Sequence, residues 1–269
     1  MLKEDIGYGD VTTESLIPEG KEAKAKIIAE QSGYIAGIPE ALAVFDELEV
    51  KAKALVSDGD KVRPGDTLIE ADGPARGILT AERVALNLLS RMSGVATATR
   101  EMLDKARKVN SKVQIAATRK TVPLLRKFDK KAVRTVGGEP HRYHLGDFVL
   151  IKDNHLKLVR SVADAVGRAH EANLSKKIEV EVDSLEGAVE AAKAEADVIM
   201  LDNMSPAEIR KAIKELKKED LRDEVIIEAS GGINPTNVGE YASTGVDILS
   251  SSYMTMQAPA LDVSLEIED

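Results

Sequence analysis

The chain is expected to be α/β, with a TIM-like barrel in its second half and a smaller α/β part before it. Three observations lead there. Beyond about residue 106, short β-branched runs alternate with helix-like stretches, the signature of βαβ units and a parallel sheet. The runs are apolar on both faces, as strands covered by helices on both sides must be. Nearly every run also ends in a polar or charged residue at its carboxyl edge, the edge where barrels place their chemistry.

Taken in order, "AKAKIIAE", "LEVKAKALV" and "DTLIEADG" read as antiparallel strands, with "PEALAVFDEL" helical between the first two. "SDGDKVRPGD" has the Gly, Pro and Asp content of a tight connection. A long helix is expected over about 79–108. The barrel strands are then "KVQIAAT", "DFVLIK", "KIEVEV", "DVIMLD", "VIIEAS" and "VDILSS", with "SLEGAVEAAKAEA" and "SPAEIRKAIKELKKE" among the helices. Six strands make the barrel shorter than the usual eight. Periodicity alone leaves a doubly wound open sheet as the alternative.

Composition narrows the class. Hydrophobic content of 43% with 31% charged residues is ordinary for a globular chain, and aromatics at 3% leave the core to Ala, Val, Ile and Leu. The absence of cysteine excludes disulfides and thiolate-bound metals. No apolar run approaches about 18 residues, so neither a membrane span nor a signal peptide is expected, and a cytoplasmic location follows. A net charge of −9 argues against a general nucleic-acid binder.

Against that acidic background, 119–160 holds eleven Lys or Arg and four Asp or Glu. The strand ends explain where such charge is useful. They carry Arg119 and Lys120, Lys152 and Asp153, Glu181, Asp202 and Asn203, Ser230, and 250–252, which a barrel brings to one face. Arg119, Arg142 and Lys152, with His141, suit carboxylates, since arginine binds them through two parallel hydrogen bonds. Glu181 and Asp202 only accept, and suit sugar hydroxyls or Mg²⁺. "EASGGINPTN" reads as a phosphate cradle: Gly231 and Gly232 let backbone N–H groups approach an anion, with Asn234 as N-cap and Pro235 as the first helical residue. Carboxylate clamps, acids and a phosphate cradle together suggest transfer of a phosphorylated sugar.

"EDIGYGDVTT", "ERVALNLLSRMSG", "TRKTVPLLRKFDKKAV", "GGEPHRYHLGDFVLIKDNH", "EVEVDSLEGAVEAA", "DVIMLDN", "EASGGI" and "APALDVSL" occur in that order and cover almost the whole chain. Together they resemble the quinolinate phosphoribosyltransferases, or nicotinate-nucleotide pyrophosphorylases. The resemblance implies an N-terminal α/β sandwich (1–105), an incomplete α/β barrel (106–255) and a final segment (256–269) that rejoins the first domain. It implies conversion of quinolinate and phosphoribosyl pyrophosphate to nicotinate mononucleotide, CO₂ and pyrophosphate with Mg²⁺, in NAD biosynthesis. Matched by motif, Arg119, His141, Arg142 and Lys152 correspond to quinolinate-binding residues. Arg83 corresponds to an arginine inserted into the neighbouring subunit's site, making a homodimer the smallest complete unit and leaving a hexamer open. Lys120, Glu181 and Asp202 correspond to residues for the sugar donor and its metal, and Ser230, Gly231 and Gly232 to the phosphate loop.

The sequence departs from the family pattern in places. Family members usually carry a helix ahead of the "EDIGYGD" motif, and Met1 lies only three residues before Glu4, so either that helix is absent or, as expected, the start lies upstream. Val122 replaces a threonine, and Ser252 stands where a phosphate-contacting glycine is common. The same residues leave two rivals: a nicotinate phosphoribosyltransferase, which handles one carboxylate fewer, and a non-catalytic anion binder on the same fold.

Overall fold

The computed structural model describes residues 1–268. In chain order the elements are α1 (Leu2–Ile6), α2 (Val11–Leu16), β1 (Glu22–Ala29), β2 (Gly33–Tyr34), α3 (Ile38–Asp46), β3 (Lys51–Ala54), β4 (Lys61–Val62), β5 (Thr67–Pro74) and α4 (Ala75–Arg107). There follow β6 (Gln114–Ala117), α5 (Arg126–Thr135), β7 (Val149–Ile151), α6 (Asp153–Leu156), α7 (Val162–Ala172), β8 (Ile178–Val182), α8 (Leu185–Lys193), β9 (Val198–Asp202) and α9 (Pro206–Lys218). The last are β10 (Ile226–Ser230), α10 (Val238–Ala242), β11 (Ile248–Ser251), α11 (Tyr253–Met256) and β12 (Val263–Ile267). They form two compact units, one of Met1–Arg100, Lys131–Val136 and Ala258–Asp269, the other of Glu101–Lys130 and Gly137–Gln257. Among the described residues no helix is long and apolar enough to cross a membrane.

The first unit is an antiparallel sheet in the order β12-β1-β5-β3. Strand β1 alternates: Ala25, Ile27 and Ala29 are buried while Glu22 and Lys24 are not, as a sheet covered on one face requires. The covered face meets Phe45 of α3 and Ile78 and Leu89 of α4 in one apolar core. The tail then crosses α4, where the Leu261 N–H donates to the Ser90 carbonyl at 3.0 Å, before β12 pairs with β1. "SDGDKVRPGD" is more than a connection, since it contains β4, which pairs with β2.

All six runs read as barrel strands lie in one parallel sheet, in the order β6-β11-β10-β9-β8-β7. That order decides between the two architectures. A doubly wound sheet reverses direction in its middle. Here successive strands are neighbours from β7 to β11, and β11 pairs with the first strand, β6, as in a barrel. Only β6 and β7 fail to pair, so the barrel is incomplete. Beside β6 the gap is taken by one residue, Glu139, whose N–H donates to the Ile115 carbonyl at 2.8 Å and whose carbonyl accepts from Ala117 at 2.9 Å. The segment carrying His141 and Arg142 therefore starts against β6.

The helices begin where the sequence provides caps. Ser161, Ser184 and Ser205 each accept from the backbone N–H three residues on, and Ser205 forms a capping box with Glu208 ahead of Pro206. Helix α9 buries Ile209, Ala212, Ile213 and Leu216, the i, i+3, i+4, i+7 stripe of a helix lying on a sheet. One expected start is corrected. Asn234 is not an N-cap and Pro235 is not helical: Asn234 Oδ1 accepts from the Thr236 N–H at 2.9 Å and its hydroxyl at 2.6 Å, closing an Asx turn, and α10 begins only at Val238.

Candidate active site

Side chains on a strand alternate between faces, so residues two apart share one. At the barrel's carboxyl end this stacks them in pairs: Ala117 below Arg119, Leu150 below Lys152, Glu179 below Glu181, Met200 below Asp202, Glu228 below Ser230. Arg119, Lys120, His141, Arg142, Lys152, Glu181, Asp202, Ser230, Gly231 and Gly232 all line one cleft of about 450 Å³. A smaller cleft of about 210 Å³ shares Lys120, Ser230, Gly231 and Gly232 with it and adds Ser252. Ser252 thus stands beside the glycine loop, and its side chain makes no capping hydrogen bond to α11. Arg83 belongs to the first unit, on α4, where its side chain is 62% exposed and its ion pair with Glu82 is long, at 3.8 Å.

The cations are crowded. Arg142 is buried, with its guanidinium 5.8 Å from the centre of the Phe148 ring. Burial and the neighbouring Arg119 charge both draw Arg142 below the ordinary arginine range. The Arg119 Nε is buried without a hydrogen-bond partner among the described residues. Two guanidiniums held together, one with a donor that no described residue accepts from, suit an anionic ligand. Lys152, at the end of β7, is ion-paired with Glu181.

His141 is fixed from below. Its Nε2 lies 3.3 Å from a Glu179 oxygen and 3.5 Å from a Glu228 oxygen, and both glutamates are about 1% exposed. Burial alone draws the imidazole down, but hydrogen bonds to Glu179 and Glu228, and their charges, outweigh it and push it up to about 9. The His141 backbone sits at φ 54°, a conformation uncommon outside glycine and typical of strained functional loops.

Lys130 holds that loop in place. Its ammonium is fully buried, donates to the carbonyls of Pro140 and Arg142, and lies 5.4 Å from the Tyr143 ring centre. Burial, reinforced by the Arg126 charge, lowers its pKa to about 8. Nearby, Arg126 donates to the Tyr143 carbonyl at 3.0 Å. Part of the basic surplus in 119–160 is therefore structural: Lys130 and Arg126 hold the loop and Lys131 pairs with Glu40, whereas Lys157 and Asp153 form an exposed pair.

The acidic side of the cleft is formed by neighbouring strands β8 and β9. Burial, then the Glu181 charge, raises Asp202, while Asn203 donates to its Oδ2 at 2.6 Å. At Gly231, φ 101° and the Asn203 side chain leave no room for a Cβ, whereas at Gly232, φ 64°, nothing lies within 4 Å of one. Gly231 is thus required by packing and Gly232 leaves open space at the cleft. The Ser250 hydroxyl is buried there without a partner.

Three residues escaped the sequence reading. Glu179 and Glu228 sit inside apolar runs, and their signal was a charge two positions before a strand-end site residue. Lys130 was hidden in the charge run, where nothing distinguishes it from its solvated neighbours.

Fold and cleft define an α/β-barrel protein with a site at the carboxyl ends of its strands, lined by cations, acids and a glycine loop and suited to a polyanionic ligand. The quinolinate phosphoribosyl transferase C-terminal domain family matches residues 95–266, and the corresponding N-terminal domain family matches residues 10–93. A probable nicotinate-nucleotide pyrophosphorylase [carboxylating] of Methanothermobacter thermautotrophicus is 46% identical over 268 residues, 99% of this chain and 96% of that one. The nicotinate-nucleotide pyrophosphorylase [carboxylating] of Mycobacterium leprae is 40% identical, covering 99% and 94%. A crystal structure of nicotinate-nucleotide pyrophosphorylase from Ehrlichia chaffeensis superposes with a TM-score of 0.93 at 36% identity, covering 99% of this chain and 96% of that one. The chain belongs to the quinolinate phosphoribosyl transferase family.

The state of Lys130 gives a pH test. A neutral amine still donates to both carbonyls, so the fold favours the uncharged form. Unfolding between pH 8 and the ordinary lysine value of 10.5 must take up a proton, so raising pH in that window stabilises the fold. The unfolding free energy of wild type relative to Lys130→Met is therefore expected to increase from pH 8 to 10.5 in urea titrations. A difference independent of pH, or one shrinking as pH rises, contradicts this placement of Lys130.

Proposed function

We propose that the chain catalyses quinolinate + phosphoribosyl pyrophosphate → nicotinate mononucleotide + CO₂ + pyrophosphate, a step of NAD biosynthesis. The observation that carries the reading is the pair of guanidiniums in the cleft, Arg142 buried and the Arg119 Nε without a hydrogen-bond partner among the described residues, in the same cleft as the acids and the glycine loop. Two carboxylates on one aromatic ring match the two guanidiniums of Arg119 and Arg142, while Lys152 and His141, already paired with Glu181 and with Glu179 and Glu228, add hydrogen-bond donors. A monocarboxylate such as nicotinate leaves one guanidinium unmatched, which disfavours the nicotinate phosphoribosyltransferase reading. A passive anion binder is disfavoured by Glu181 and Asp202, because acids weaken the binding of anions.

In this reading Arg119, Arg142, Lys152 and His141 hold the two carboxylates and turn the ring nitrogen toward the anomeric carbon, so that proximity lowers the barrier. Ser230, Gly231, Gly232 and Ser252 receive the ribose 5-phosphate. The C–N bond forms as the C–O bond to pyrophosphate breaks. Glu181 and Asp202 stabilise the oxocarbenium-like ribose, and Lys120 meets the charge growing on pyrophosphate. The nitrogen, now quaternary, makes the ring an electron sink. The carboxylate beside it leaves as CO₂, and the electron pair left on the ring carbon takes a proton.

Glu181 and Asp202 also fit Mg²⁺: they are hard oxygen donors, crowded enough to raise Asp202, and Mg²⁺ commonly takes one or two carboxylates with substrate phosphates completing its shell. Bound there, it would offset charge on the departing pyrophosphate. Arg83 completes the reading. Among the described residues its exposed guanidinium has one long surface ion pair, worth little by itself, and so is available to a second subunit's cleft. The functional unit is then a homodimer.

The direct test incubates the protein with phosphoribosyl pyrophosphate, Mg²⁺ and either quinolinate or nicotinate, following mononucleotide and CO₂. Quinolinate is expected to be consumed with one CO₂ per nucleotide and nicotinate to be inert. Nicotinate turnover without CO₂ would move the chain to the rival reaction, and a folded protein turning over neither would favour the binder.

Subunit complementation tests Arg83. Arg83→Ala and Lys120→Ala are each expected to be inactive. Mixed and allowed to exchange, they should recover about a quarter of wild-type activity, because half the dimers are hybrids and each hybrid holds one intact site. No recovery despite demonstrated exchange would refute the shared site.

A further inference from the structure

The reaction above leaves two carboxylates without a task. Glu179 and Glu228 are almost completely buried, they approach one nitrogen of one histidine, and each keeps an oxygen with no hydrogen-bond partner. Two carboxylates in the interior of a barrel repel each other and lose their hydration, so replacing them with apolar strand residues would ordinarily favour the fold. Their presence needs a reason beyond stability. Orienting His141 is not sufficient, since a single carboxylate fixes a ring and its tautomer.

The ring's chemistry supplies the reason. A neutral imidazole offers one N–H and one lone pair. Burial pushes Glu179 up, the hydrogen bond from His141 draws it down and the Glu228 charge pushes it up again; with both acids ionised, Nε2 carries a hydrogen. In the neutral ring Nδ1 would then be a lone pair, which repels an anion in the cleft. Only the doubly protonated ring presents a donor at both nitrogens. We propose that Glu179 and Glu228 are positioning residues that commit His141 to its doubly protonated form, so that Nδ1–H donates to a substrate carboxylate. This rests on the quinolinate reading above.

The surroundings explain why two acids are present rather than one. Arg142, next in sequence, brings a positive charge that also acts on Glu179, and Arg119 stands beside Arg142. The Phe148 ring packs edge-on at 5.0 Å and offers the imidazole no hydration. Glu139, on the same loop, accepts from the His141 backbone N–H at 3.3 Å and not from the ring. Burial and the two arginines oppose a charged ring, and Glu179 on β8 and Glu228 on β10 oppose them from below. The balance favours the charged ring, which loses its proton only near pH 9.

The test compares wild type with Glu179→Gln, Glu228→Gln and the double variant, measuring KM for both substrates from pH 6 to pH 10. The ring nitrogens of His141 are followed in parallel by ¹⁵N NMR, with its signal among the four histidines assigned from His141→Asn. Wild type should bind quinolinate evenly up to about pH 9 and weaken above it. Each variant should begin to weaken at lower pH, the double variant lowest. The rise in quinolinate KM at pH 8 should approach tenfold per pH unit that the transition falls below 8. KM for phosphoribosyl pyrophosphate should stay put, and the gap to wild type should narrow toward pH 6. A merely structural role would leave the pH profile in place, and an unchanged profile in all three variants overturns the proposal. Should the variants not fold, the wild-type NMR titration still decides, because a His141 ring losing its proton near its ordinary value of 6.5 refutes it. Absence of quinolinate turnover in wild type at every pH would instead refute the reaction, leaving the NMR result to judge the ring.

Discussion

Positive charge concentrated at the carboxyl end of the barrel is the constraint on which the rest of the site depends. Arg119 and Arg142 destabilise each other, one keeps a bare donor, and Lys152 and the charged His141 add to the same region. Such a cluster persists only if the scaffold holds each cation in place and part of the charge is balanced nearby. The barrel does both. Its strands fix Arg119 and Lys152 at rigid ends, and its inward alternation puts acids one layer below. The guanidiniums of Arg119 and Arg142 are what the carboxylates of a dianionic ligand can meet, so binding and specificity arise from one pair of cations.

Support for that cluster extends outward through neutral and charged groups alike. The loop carrying His141 and Arg142 begins against β6, filling part of the gap where the barrel does not close, and Lys130 holds it through two carbonyls. A lysine suits that task because its long stem reaches the interior and its amine can donate twice. The positive φ of His141 is tolerated because the loop is held on several sides. At the opposite rim, Gly231 lets the loop pass tightly against Asn203, and Asn203 in turn donates to Asp202. The glycine loop and Asp202 are thereby coupled by one side chain.

Much of this was legible in the sequence, for identifiable reasons. Six β-branched runs declared the barrel strands because both faces of each are covered. Strand-end polar residues declared the cleft because a parallel sheet gathers its carboxyl edges. Other features follow from three-dimensional competition that periodicity does not record. Asn234 and Pro235 have the chemistry of a helix start, yet the asparagine side chain captured Thr236 instead and delayed α10 to Val238. Glu179 and Glu228 lie within apolar strands and look like interruptions until the barrel's inner face is known. Lys130 and Lys131 are adjacent and alike in sequence, but one is buried under a functional loop and the other pairs with Glu40. The grouping of Lys131–Val136 with the first unit also has no sequence signature.

The claim that this pair of cations selects the ligand is tested most directly by calorimetric titration with quinolinate and, separately, nicotinate, at pH 7 and at several salt concentrations. Quinolinate is expected to bind at least about tenfold more tightly, the second carboxylate adding a charge-assisted contact worth about 1.5–3 kcal/mol. Its affinity should also fall more steeply with salt than that of nicotinate. Equal affinity for the two acids would mean that the buried cations are already balanced within the protein, and would contradict the account.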